Sequence, residues 1–200
     1  MTIVSRLGPS GGVAAVNAAL PHLLSRGPRS SSSTLGGAKK VHNKGAIPLF
    51  LISPADALKS DFLHKSDPTA WRYPIVWAGG IALADVRADK APPNLSALIR
   101  GPVAERFFKA TEIVKREYES SSEEYEVRAL EVPAMYVTAL WLHEARGFED
   151  IFFPIAEGKI EPSIDGRGIE DDPHFLDRLK EAAQDRFAIA VPSSPHRRGF

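Results

Sequence analysis

His143, Glu144, Glu149 and Asp150 fall within one eight-residue stretch of the chain. An imidazole has an ordinary pKa of about 6.5, so a histidine beside carboxylates is the standard composition of a general base. The carboxylate orients the ring, and the second nitrogen takes a proton from water or from a carbon acid. A hydrolase or lyase-like enzyme built on His143 is one expectation. The plainer expectation is that Glu144, Glu149 and Asp150 keep a hairpin tip soluble while His143 ends a strand. The two differ in a checkable way. Catalysis needs His143 within hydrogen-bond reach of a carboxylate and an open cavity beside both, whereas a binding protein needs a contiguous apolar patch and a solvated His143.

A second set is aromatic. Trp71, Arg72, Tyr73 and Trp77 crowd a proline-containing segment, with Tyr136 and Trp141 later in the chain. Trp, Tyr and Arg anchor many interfaces, and amphipathic rings also line apolar ligand pockets. The same rings can fill a core, each polar handle finding a backbone partner. Asp85 lies inside the apolar run Ile81–Val86, where it points into a pocket or, by the same alternation, outward to the surface, the reading preferred.

Other chemistries find little support. The chain has no cysteine, which excludes disulfides, thiol catalysis and Cys-ligated metal. Its six histidines form no HxH or HExxH pair, so no metal and no cofactor is expected. Gly79-Gly80 stands outside any phosphate-loop pattern and reads as a bulge or a close packing point. The acidic segment Asp165, Glu170, Asp171 and Asp172 lacks the spacing of a calcium loop. Ser53 and Thr138 have no activating partner, and no GxSxG occurs. Twenty-five basic residues balance twenty-five acidic ones. Net neutrality, with basic residues not interleaved with aromatics, argues against specific nucleic-acid binding. No apolar run reaches the roughly 20 residues of a spanning helix.

The charge is unevenly placed. Six basic residues precede the first acidic one, Asp56. Residues 1–45 therefore read as a basic Ser/Gly-rich leader, flexible apart from one short helix over Val13–Leu24, with organelle targeting or partner docking as alternatives. Residues 46–192 read as one domain and 193–200 as a short basic tail.

Within that domain, Ile47–Ile52 reads as a strand. Ser53 caps a helix with Pro54 at its first position and Asp56 in a capping box. Val103, Phe107, Ala110, Val114 and Tyr118 give a helix from about Pro102 to Tyr118. Tyr125, Val127 and Ala129 face one way on a strand, opposite Glu126, Arg128 and Leu130. Residues 135–143 fit a strand, with Met135, Val137, Ala139 and Trp141 on one face, and fit a helix less well. Ile151–Ile155 completes a meander. A last helix buries Phe175, Leu176, Leu179 and Phe187, and Phe187–Val191 is a further edge strand.

The fold expected is α+β: an antiparallel sheet with a C-terminal three-strand meander packed against two or three helices. If the sheet's second face is apolar, Tyr136, Leu140 and Leu142 are exposed there and a second subunit is the simplest cover. The function expected is accordingly noncatalytic, a cytoplasmic protein-binding or homo-oligomeric molecule with room for a small apolar ligand. The His143 enzyme is the alternative.

Overall fold

The computed structural model describes residues 2–4, 6–24, 45–59, 61–64, 67–77, 80–87, 89, 91–118, 124–144, 150–156 and 173–190. Among the described residues eight strands form one mixed sheet. They are β1 (Thr2–Val4), β2 (Ile47–Leu51), β3 (Ala70–Trp77), β4 (Gly80–Arg87), β5 (Asn94–Arg100), β6 (Glu124–Val132), β7 (Val137–Glu144) and β8 (Ile151–Ala156). The helices are α1 (Gly12–Leu24), α2 (Pro54–Lys59), α3 (Pro102–Tyr118) and α4 (Phe175–Ala190). Seven strands run in the order β5-β4-β3-β2-β6-β7-β8, and β1 joins β6 off that path. The meander β6-β7-β8 is antiparallel throughout. The sheet departs from the expected all-antiparallel pattern because α3 carries the chain from β5, at one edge, back over the sheet to β6. Strand β6 therefore arrives parallel to β2, and β1 pairs with it in the same sense.

Helix α3 covers one face. Its Phe107, Ala110 and Val114 pack on Leu49, Leu83, Ala129, Leu140, Leu142 and Phe153. The other face carries two clusters. Val16 and Leu20 of α1 meet Tyr73, Ile75, Ala84 and Val86. Ala57 of α2, Phe62, and Phe175, Leu179 and Ala183 of α4 meet Phe50, Leu130, Ala139, Trp141 and Phe152. Both sides of β7 are thus buried, which is why its sequence reads as a nearly unbroken apolar run. This alters one expectation. Leu140 and Leu142 are fully buried under α3, and of the three residues expected on an open face only Tyr136 is exposed.

Local signals explain most element ends. The Asp56 amide donates to Ser53 Oγ at 3.1 Å, and the Ser53 hydroxyl donates to Asp56 Oδ2 at 2.9 Å, closing the start of α2. Gly101 takes φ +76° just before Pro102 opens α3. After Pro133–Met135, a single 3-10 turn, Tyr136 sits at φ 56° in the left-handed region immediately before β7. Of the expected leader, residues 2–4 join the sheet and 12–24 form α1, with 6–11 as coil and turn before it, while 25–44 and the tail at 193–200 lie outside the described residues. Residues 187–190 continue α4 and form no edge strand, and Phe187 is exposed. The acidic segment Asp165, Glu170, Asp171 and Asp172, the last of which reads in the sequence as the cap of the final helix, also falls outside the described residues.

Candidate functional site

Strand alternation sorts the candidate residues. His143 shares the α2/α4 face of the sheet with Trp141, opposite Glu126 in the register of β6 and β7. The pairing of β7 with β8 ends at Leu142 and Ile151, and His143 and Asp150 meet one position beyond it. Their Nδ1 and Oδ1 atoms are 2.8 Å apart, with the side chains 23% and 18% exposed. Glu144 is buried opposite Tyr125 and so points to the α3 face, away from His143. Glu149 lies outside the described residues.

A band of charge continues from this pair along the same face. Arg128 Nε donates to Glu126 Oε2 at 2.7 Å, and Arg6 pairs with the other oxygen of Glu126. The Arg128 guanidinium lies over two rings, 4.6 Å from the Trp141 centroid and 5.0 Å from that of Phe50. Burial lowers the Arg128 pKa. Glu126 draws it back, Arg6 adds to the lowering, and Asp150 opposes it. Trp141 stacks on Phe152 and meets the edges of Phe50, Phe62 and His143. Its buried indole nitrogen finds no acceptor among the described residues.

The aromatic set does not converge on one pocket. Tyr73 and Trp71 pack under α1, Trp141 packs under α2 and α4, and Tyr136 stands in a turn. Arg72 points the opposite way, to the α3 face, where it is fully buried and bridges Asp85 and Glu131. Asp85 is therefore buried and ion-paired rather than outward. The sequence carries a signal for this pairing: with Trp77 opposite Gly80 in a two-residue hairpin, Arg72 falls directly opposite Asp85. Gly80 of the glycine pair opens β4 opposite Trp77 at φ +129°, and Gly79 lies outside the described residues. The Trp77 side chain lies outside the described part of the structure.

A cavity of about 400 Å³ opens on the α3 face, lined by residues that sequence reasoning did not single out. It lies across the sheet from His143. Among the described residues no group of three His, Asp or Glu is placed to hold a metal ion. No helix there is long and apolar enough to cross a membrane.

No protein-family model, no curated protein and no solved structure matches this chain.

Proposed function

We propose that this protein is a small hydrolase or lyase-like enzyme in which His143 is the general base and Asp150 orients it. The contact between His143 Nδ1 and Asp150 Oδ1, on partly exposed side chains, carries this reading. It meets the requirement of a carboxylate within reach, while the cavity described above opens on the other face of the sheet and is no part of this proposal. A carboxylate accepting from Nδ1–H leaves Nε2 with its lone pair, so Nε2 is the atom that takes a proton from water or from a carbon acid. On the same face Arg6 and Arg128 share the carboxylate of Glu126.

A second consideration supports the enzyme over the docking protein. The docking reading drew its weight from an uncovered apolar sheet face, and the chain's own α3 packs on Leu140 and Leu142. Oligomerisation then has to rest on other surfaces.

The test is turnover across a panel of activated esters and elimination substrates, with His143→Gln and Asp150→Asn beside the parent. Loss of a positioned general base lowers the rate by about 10²- to 10⁴-fold. The expected result is that loss for His143→Gln and a smaller one for Asp150→Asn, with a changed pH profile. Turnover undiminished in His143→Gln removes the proposal.

A further inference from the structure

The cavity on the α3 face has a cause in the sheet. Strand β1 pairs with β6 at residues 124–126 and β2 pairs with it at 129–131, both along the same edge. Val127 and Arg128 lie between the two and have no strand partner on that side. The sheet is split there, and α3 bridges the split. Ile3, Ala46, Ile47, Pro74, Val76 and Val127 provide an apolar floor and walls, and Phe108 and Thr111 form the roof. Small residues, Gly45 and Ala46, sit where larger ones would fill the space. An empty apolar cavity costs stability, because its lining lacks partner atoms.

The few polar groups define what fits. Thr111 is buried, and its hydroxyl donates to the Phe108 carbonyl at 2.6 Å. Its proton is committed to the helix, so toward the cavity Thr111 offers only oxygen lone pairs. At the rim, Glu112 and Lys115 pair with each other at 3.2 Å and cancel. Net charge is therefore not favoured in an occupant, and a hydrogen-bond donor is. The volume stands near the lower end of the roughly 300–1,000 Å³ typical of small-molecule pockets, enough for one or two fused rings.

We infer that this cavity is a binding site for a small neutral apolar molecule carrying a hydroxyl, such as a phenol or a bicyclic alcohol, held through Thr111. The sheet separates it from His143, so the site stands whether or not the general-base reading does. Val127 faces the cavity while its neighbours Glu126 and Arg128 belong to the charged band on the other face. Occupancy is therefore positioned to be felt across β6.

The test uses 2-naphthol as the probe and 2-methoxynaphthalene, which has no donor, as its control. Titration is followed by calorimetry and by ligand-observed NMR. The parent should bind one 2-naphthol per chain. One hydrogen bond corresponds to about three- to tenfold in affinity. Thr111→Val should weaken 2-naphthol by that factor and leave 2-methoxynaphthalene unchanged. Val127→Phe, which fills the space, should abolish both, as should Val76→Trp at the exposed mouth if the filled variant fails to fold. His143→Gln should bind like the parent, which separates this site from the proposed catalytic one. Absent saturable binding, 2-naphthol affinity indifferent to Thr111→Val, or binding that survives a folded Val127→Phe or Val76→Trp variant overturns the inference.

Discussion

Arg72 grips Asp85 across β3 and β4 with two parallel hydrogen bonds, Nε to Oδ1 and Nη2 to Oδ2, each 2.8 Å. The same Nη2 reaches Glu131 on β6, and the guanidinium lies 5.1 Å from the centre of the Phe107 ring. One buried cation therefore ties three strands to α3. Burial acts to lower its pKa, and the two carboxylates outweigh that, so the group is held above its ordinary value and stays charged.

Removing Asp85 takes both 2.8 Å acceptors from Arg72 and leaves it Glu131 alone. Asp85→Ala is expected to destabilise the fold by about 1–3 kcal/mol, the usual cost of buried donors left without an acceptor. The combined Arg72→Met, Asp85→Leu, Glu131→Met variant should lose less than Asp85→Ala alone, because no charge remains to be solvated. Urea midpoints of the two variants decide it, and an equal or larger loss in the combined variant contradicts the argument.

Arg128 makes a different kind of contact. Its flat guanidinium covers the rings of Phe50 and Trp141 while bonding Glu126. Lysine has the charge but not the plane, so Arg128→Lys is not conservative here. A loss of about 1–2 kcal/mol is expected, with a shift in Trp141 fluorescence as its ring face is uncovered. A stability equal to the parent's would mean the stacking contributes nothing.

Packing around Tyr73 gives a compensation test. A Cβ placed on Gly12 would lie 2.1 Å from the Tyr73 hydroxyl oxygen. Gly12→Ala therefore forces α1 or the ring to move, at about 1–3 kcal/mol. Tyr73→Phe removes the clashing oxygen, leaving the ring carbon beneath it at 3.0 Å. The double variant should recover part of the loss, measured as a coupling energy in a double-mutant cycle. Additive losses would show that the two positions do not press on each other.

These contacts also show which parts of the architecture could be read from residues alone. The helix at Pro102–Tyr118, the cap at Ser53 and the meander from Tyr125 onward are set by local patterns, namely apolar spacing, a side-chain cap and alternation. Strand β7 was harder to interpret, because two apolar faces mean cover on both sides and not which element supplies it. Asp85 is a related case: alternation along β4 does not supply its partner, and only the hairpin register that sets Trp77 opposite Gly80 brings Arg72 across from it. His143 and Asp150 were legible as a set because the hairpin returns one to the other. The cavity was not, since it arises where β1 and β2, more than forty residues apart in the chain, line one edge of β6 and leave a gap.

Tyr73 also makes stability depend on alkaline pH. Burial disfavours the phenolate and raises the Tyr73 pKa above its ordinary value of 10.0. The unfolded chain loses this proton at about 10 while the folded chain holds it to higher pH. Below pH 10 both states are protonated and the contribution is fully present. As pH rises through and beyond 10 the unfolded state binds fewer protons, so stability falls, by at most about 1.4 kcal/mol per pH unit for one group, until the folded value is passed. Phenylalanine cannot ionise. Urea unfolding of the parent and of Tyr73→Phe between pH 8 and pH 11 should therefore give a constant difference up to about pH 10, and above it the parent should lose ground relative to the variant. Parallel curves across the whole range would mean that the Tyr73 hydroxyl ionises as freely in the folded chain as in the unfolded one.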